Sequence, residues 1–218
     1  MTMETFDKKG RNACHQSGKS DAGFTLIELL IAMAVGLAVL GATYGVFILH
    51  SKTFGTQEQI AEMQQNTRVA MDLMTREIRM AGYNPLGSAG AGIVSAASDS
   101  INFTLDTTST YGSDAPDGDT DDPNENITYS LYTADSIQKL GRKSTANAVN
   151  QPVAEHIQSL AFQYWDANGN TTATAADIRR IRVTITAKTA KPDPDYTPNG
   201  GYRTYTLTSI IAPRNLGL

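Results

Sequence analysis

The 218-residue chain has one cysteine, Cys14. A single thiol closes no intrachain disulfide and supplies no Cys-based zinc site. Any folded part must therefore hold by packing and hydrogen bonds. Positive charge is not in excess. Lys plus Arg total 18 against 22 for Asp plus Glu, which argues against a broadly basic nucleic-acid surface. Tyrosines in the later segments read as sheet residues rather than a base-stacking platform. Hydrophobic residues make up 40% of the chain, too few for a polytopic membrane protein and too many for a disordered one. Phosphate-binding P-loop and G-x-S-x-G patterns are missing, and His50 and His156 stand alone. An enzyme, even a membrane-anchored one, is the weakest function class, and no cofactor is expected.

What is present is unevenly spread. Phe24 to Leu49 reads FTLIELLIAMAVGLAVLGATYGVFIL, with Glu28 its one charge. From Leu29 to Leu49 there is none. As a helix that uncharged stretch rises roughly 31 Å, enough for a hydrocarbon core of about 30 Å. The rest of the chain is too polar to wrap a helix that is apolar all round. Lys8, Lys9, Arg11 and Lys19 precede the run, and only Lys52 follows it before Arg68. The positive-inside rule then places the N-terminus in the cytoplasm and the C-terminal part across the membrane. Leu49-His50-Ser51-Lys52 offers no small-residue cleavage site, so the run is expected to persist as an anchor.

The junction Gly23-Phe24-Thr25-Leu26-Ile27-Glu28, with its charged leader and long apolar helix, resembles the start of type IV prepilins and type II secretion pseudopilins. The resemblance implies cleavage by a prepilin peptidase between Gly23 and Phe24, then N-methylation of Phe24. It also implies that Glu28 pairs with the N-terminal amine of a neighbouring subunit. Independently, a carboxylate in an apolar helix is costly and seeks a partner, and Ile31 and Ala32, one turn on, supply no cation. A carboxylate favoured by the helix dipole is the plainer account of Glu28. Thr25 is a candidate for orienting this end, or an ordinary N-terminal helix residue. Cleavage would leave residues 24–218, without the cysteine and without four of the basic side chains. Many pilins carry a C-terminal disulfide loop, and this sequence departs from that pattern.

Beyond the run, Ile60, Met63, Thr67, Ala70, Met74, Ile78 and Ala81 recur at helical spacing. Arg68–Asp72 and Asp72–Arg76 are spaced as ion pairs. No proline lies between Phe24 and Asn84, and Gly82-Tyr83-Asn84-Pro85 is the stop signal. Gly41 and Gly45 match the close-packing motif of membrane helices, although glycine is common there anyway. Leu73 to Pro85, LMTREIRMAGYNP, resembles the PilW group of minor pilins and, more distantly, J-type pseudopilins.

From Ser100 the apolar period becomes two. Ile101, Phe103 and Leu105 form one set. Ile127, Tyr129 and Leu131 form the next, followed by Leu160, Phe162 and Tyr164, then Ile181, Val183 and Ile185, then Tyr205 and Leu207. Asn168-Gly169 reads as a hairpin turn between Trp165 and Ile178. The expected fold is α+β: a long N-terminal helix, half membrane-spanning and half amphipathic, packed against antiparallel sheet, as the resemblance to pilins implies. The expected divisions are a leader at 1–23, an assembly helix at 24–49, an amphipathic helix at 50–82 and a β-rich extracytoplasmic domain at 83–218.

Two acidic stretches resemble calcium loops without completing one. Asp117, Asp119 and Asp121 start like an EF-hand, but Asp122 stands where glycine is needed. Asp166, Asn168 and Asp177 form a second partial match, with Thr171 in the glycine place. A solvated loop and a plain hairpin explain both without a metal. The resemblance makes the chain a minor pilin of a type IV pilus, priming fibre assembly and supporting motility and adhesion. Its implied partners are prepilin peptidase, other minor and major pilins and the bacterial inner membrane, with the β domain periplasmic and later on the pilus. The alternatives are a type II secretion pseudopilin and a tip adhesin or ligand-binding module.

Overall fold

The computed structural model describes residues 23–109, 115–144 and 147–217. One helix, α1 (Leu26–Met80), is followed by eight strands, β1 (Ile93–Ala96), β2 (Ile101–Thr104), β3 (Asn126–Ala134), β4 (Ile137–Ser144), β5 (Asn147–Glu155), β6 (Ile157–Trp165), β7 (Arg180–Lys188) and β8 (Thr204–Ile211). The chain divides at His50/Ser51 into two compact units. The leader expected at 1–23 lies, apart from Gly23, outside the described residues.

In the first unit every described residue, Gly23 to His50, is exposed. The helix here is apolar on all sides, and none of its residues is buried among the described residues. By length and composition it is able to cross a membrane.

The second unit begins on the same element and behaves differently. Met63, Thr67, Ala70, Met71, Met74 and Ile78 are buried. This is the apolar stripe read from the sequence, widened by Met71. Thr67 fits because its hydroxyl donates to the Met63 carbonyl at 2.7 Å. Asp72 pairs with Arg76 at 2.9 Å but not with Arg68, contrary to the expected double pairing. The pair that forms places the acid N-terminal to the base, the better orientation against the helix dipole. Gly82 ends the helix at φ +79°, its N–H donating to the Thr104 carbonyl at 2.9 Å.

The strands form two antiparallel sheets, one of five strands in the order β1-β2-β3-β4-β5 and one of three in the order β6-β7-β8. The five apolar sets at period two all supply core or core-flanking residues. Ile101, Phe103, Ile127, Tyr129, Leu160, Phe162, Tyr164, Ile181, Val183 and Ile185 are buried together with Met74 and Ile78. Tyr205 and Leu207 of β8 pack against this core from partly buried positions. The α+β expectation holds, with two sheets where the alternation alone did not separate them.

Strands β1, β4 and β5 lack that alternation and were not expected. β3 turns into β4 through Asp135 and Ser136, both at positive φ (53° and 62°), the backbone of a tight two-residue hairpin. β5 carries Pro152, which suits an edge strand. His156, at φ 58°, is the single residue between β5 and β6 and turns the chain from one sheet to the other. Asn168-Gly169 lies, as expected, in the connection between the antiparallel neighbours β6 and β7, where Trp165 pairs with Arg180. It closes a small turn, Asp166 N to Asn170 O at 2.9 Å, bridging Trp165 to Thr171. The chain then runs on through a 3-10 turn (Ala175–Asp177) before β7.

Candidate functional site

The six residues of the junction take a definite local form. Gly23 and Phe24 are exposed and non-helical, with Phe24 93% accessible. Thr25 stands one residue before α1 as its N-cap. The Thr25 N–H and hydroxyl both donate to Glu28 Oε2, at 2.8 and 2.9 Å, and the Glu28 N–H donates to Thr25 Oγ1 at 3.3 Å. This is a reciprocal capping box, built from Thr and Glu three residues apart. Thr25 therefore has a structural duty, and Glu28 is not without a partner inside its own chain. Oε2 takes both donors. Among the described residues, Oε1 accepts no hydrogen bond.

Further along, a Cβ added at Gly41 or Gly45 would meet nothing within 4 Å. The two glycines leave a smooth, open strip on the helix surface. Between them Thr43 donates its hydroxyl to the Val39 carbonyl at 2.8 Å, which satisfies it without a second chain.

In the second unit, polar groups cluster at two places. Glu77 of α1 accepts the Tyr129 hydroxyl at 2.5 Å and Arg142 Nε at 3.0 Å. Arg142 Nη1 also donates to Asn124 Oδ1 at 3.2 Å. Burial, and next the Glu77 charge, push the Tyr129 hydroxyl well above the ordinary phenol range. The network ties the helix to β3 and β4, which makes it a fastening rather than a reactive centre.

The other cluster is the acidic loop between β2 and β3. Asp117, Asp119 and Asp122 each bring one carboxylate oxygen to within 4.8 Å of the others. Asp121, expected in that set, is not in it. Its N–H donates to Asp119 Oδ1 at 3.2 Å, and the next residue turns inward in its place. Asp106, which no motif flagged, is fully buried with both carboxylate oxygens unbonded. Burial, then the charge of Glu125, raises the Asp106 pKa. The second partial loop is not assembled. Asp166 accepts Asn170 N and Nδ2 at 2.8 and 3.2 Å, so its carboxylate closes the turn, and Asp177 lies in the 3-10 turn beyond.

An open cavity of about 760 Å³ lies beside Gly82, Tyr83, Arg179 and Leu216. Arg179 Nη1 spends its hydrogen bonds on the Ala176 and Ile178 carbonyls, both at 2.8 Å. The cavity gives no specific support to a ligand-binding module.

Comparison with known proteins accounts for both units. Residues 18–44 match the prokaryotic N-terminal methylation motif. Residues 56–211 match the family described as prepilin peptidase-dependent protein B. The chain belongs to that family. Within it, this member carries a prepilin-type methylation motif and is a type IV pilin-like protein. The family is structural in character. Its motif implies processing by prepilin peptidase and association with other pilins. The chain is 35% identical over 60 residues to the pilin-like protein PilA3 of Thermus thermophilus, a stretch covering 28% of this chain and 26% of that protein. It thus spans about a quarter of that relative's length. A type IV-like pilin of Thermus thermophilus overlaps 70% of this chain and 97% of its own, with 11% identity and a TM-score of 0.44.

Proposed function

We propose that the protein is a minor pilin of the PilW type, processed between Gly23 and Phe24 and built into a type IV pilus through the first half of α1. The observation that carries the reading is the exposure of every described residue from Gly23 to His50 in a stretch that is almost wholly apolar. Such a surface is stable only in lipid or against other apolar helices. The methylation motif over residues 18–44 favours helices of the same kind as partners. Gly41 and Gly45 would let a neighbouring helix approach closely.

Glu28 is the residue through which assembly is selected. Its capping box fixes the carboxylate at the helix start, with Oε1 left for a donor from outside the helix. The new N-terminal amine of an adjoining subunit is a cation of the right size, and in apolar surroundings such a pair is worth far more than in water. The N-terminus stays cytoplasmic before processing, and the sheet domain lies on the periplasmic side. The PilW assignment rests on Leu73 to Pro85, LMTREIRMAGYNP.

Mass spectrometry of the protein from cells with prepilin peptidase should find Phe24 first and methylated, and the uncut chain in cells without it. A mature N-terminus elsewhere would overturn the reading. Glu28→Ala should still be cut yet fail to enter pili. Normal incorporation of that variant would remove the charge-pairing mechanism. Loss of type II secretion with intact pili on deletion would move the protein to the other machine.

A further inference from the structure

The last strand of a sheet presents N–H and C=O groups without a neighbour, and natural sheets blunt such edges with short strands, prolines, bulges or charge. Among the described residues, three of the edges here are blunted. β1 has four residues and an irregular register against β2. β5 carries Pro152 and two irregularities against β4. β6 has one irregularity, and its Phe162 N–H is taken by the Ser98 carbonyl at 2.8 Å. β8 has none of these devices. Its eight residues, TYTLTSII, include no proline and no charge. They pair with β7 in unbroken register, from Lys188 opposite Thr204 to Ile181 opposite Ile211. Hydroxyl pairs Thr184–Thr208 and Thr186–Thr206, at 3.2 and 3.0 Å, hold the two strands side by side. The ladder also fixes which groups are left over. Just before it, the Thr189 N–H donates to the Arg203 carbonyl at 2.9 Å. In an antiparallel pair this facing alternates along the strand. Tyr205, Leu207, Ser209 and Ile211 therefore face β7, and Thr204, Thr206, Thr208 and Ile210 point their N–H and C=O groups outward. All four are exposed, and no described residue bonds those groups.

We propose that the outer edge of β8 is a strand-addition site for an extended, acidic segment of another polypeptide. A straight edge with alternate donors and acceptors suits main-chain pairing, in which a bound strand extends the sheet. Charge selects the occupant. Residues 180–211 carry five basic side chains, Arg180, Arg182, Lys188, Lys191 and Arg203, against two acids, Asp193 and Asp195, in a chain whose formal charge is -4. Both acids are already engaged, Asp193 with Arg203 and Asp195 with Lys52. Lys188, opposite Thr204 at the start of the edge, stands over the Tyr202 ring at 4.6 Å. Arg182, opposite Ile210 near its end, lies over the Trp165 ring at 4.8 Å. Neither cation pairs with a carboxylate among the described residues. A second copy of β8 would bring the same cations to the same edge, and like charges across paired strands are unfavourable. Pairing of β8 with itself is therefore disfavoured, and an acidic strand is favoured. The site stands independently of the pilin assignment, since it uses only residues of the sheet domain.

The test is amide hydrogen–deuterium exchange, read residue by residue, of the full-length protein in detergent. The probes are two short synthetic peptides of alternating valine and threonine, one ended by aspartates and the other by lysines. The acidic peptide should slow exchange at Thr204, Thr206, Thr208 and Ile210, and leave the amides of Tyr205, Leu207 and Ser209, already bonded to β7, as they were. The lysine peptide should bind at least about tenfold more weakly. Thr208→Pro removes one outward N–H and no bond to β7, a change that an edge strand tolerates. It should melt as wild type does and lose the protection. Lys188→Glu should narrow or reverse the preference between the peptides, and it keeps the test decisive where Thr208→Pro does not fold. Any of five results would overturn the proposal: no protection at about 1 mM peptide, equal binding of the two peptides, undiminished protection in a folded Thr208→Pro, an unchanged preference in Lys188→Glu, or edge protection without peptide that grows with protein concentration. The last would make a second copy of the chain the occupant.

Discussion

Helix α1 contains two regions with opposite relations to the rest of the chain. From Leu26 to His50 no side chain is buried, although nearly all are apolar. From Ser51 to Met80 most side chains are polar, yet six residues are buried in a core shared with the sheets. Apolar content and burial therefore run in opposite directions along one element. In the second region a narrow stripe suffices, because the chain supplies the matching surface. In the first the whole circumference is apolar because its surroundings must come from elsewhere.

The comparison breaks most visibly at Ile78, which is completely buried. Ile78→Ala should cost about 2–5 kcal/mol through lost burial and a residual cavity. Leu37→Ala, at a position 67% exposed, should change sheet-domain stability by no more than about 0.5 kcal/mol. Urea unfolding of the full chain in detergent, followed by near-ultraviolet circular dichroism, measures both. Similar losses at the two positions would mean that the first region also stabilises the sheet domain.

Glu77 gives the next largest effect, and it sharpens how the second region is fastened. Its carboxylate receives Tyr129 and Arg142, with side-chain exposures of 22% for Glu77 and 13% for Arg142. Glu77→Gln keeps the shape and removes the charge, leaving a mostly buried guanidinium poorly matched. The expected loss is about 1.5–3 kcal/mol, the range for hydrogen bonds to charged groups. Asp72→Asn, one turn and a little earlier, breaks an ion pair whose side chains are 67% and 70% exposed, and should cost no more than about 0.5 kcal/mol. If the two variants melted alike in the same urea series, the Glu77 network would be a surface pair in effect.

These regions were also unequally legible. The apolar run, the Met63-to-Ala81 stripe and the Gly82 stop are local patterns, so sequence was enough to find them. Strands β2, β3, β6, β7 and β8 showed because one face is wet. β4, with IQKLGRKS, hid because Lys139 buries its stem while its ammonium reaches Glu155 at 2.7 Å, and because Gly141 is packed against Tyr132. A buried Lys and Gly erase the alternation on which such a reading depends. Its turn, Asp135-Ser136, lacks the glycine that usually marks that backbone. Thr25 and Glu28 were visible as residues, but the capping box changes what they mean. Asp106 could not be found, since its burial is set by the tertiary fold and no local pattern marks it.

The smallest expected effect concerns acid. The first region has Glu28 alone, whereas the second has carboxylates held by cations. Asp193 Oδ2 receives Arg203 Nη2 at 2.8 Å and Nε at 3.0 Å, and the Asp195 N–H reaches Oδ1 at 3.0 Å. The Arg203 hydrogen bonds first, and the Asp195 N–H second, hold the Asp193 carboxyl below its ordinary value of 3.8. A carboxylate with a lowered folded-state pKa contributes its stabilisation above the unfolded value. That contribution is lost as the pH falls from there through the folded-state value. Glu155, lowered by Lys139, acts in the same direction. The sheet domain should therefore lose stability as the pH falls below about 4.5, where these carboxylates begin to take up protons in the unfolded chain before the folded one. Asp193→Asn should be less stable than wild type at pH 7 and should show a shallower decline below that pH. Melting curves followed by Trp165 fluorescence at half-unit pH steps read both quantities. An unchanged slope in the variant would show that the Asp193–Arg203 pair is screened by solvent, and that Glu155 and its neighbours carry the acid sensitivity of the second region.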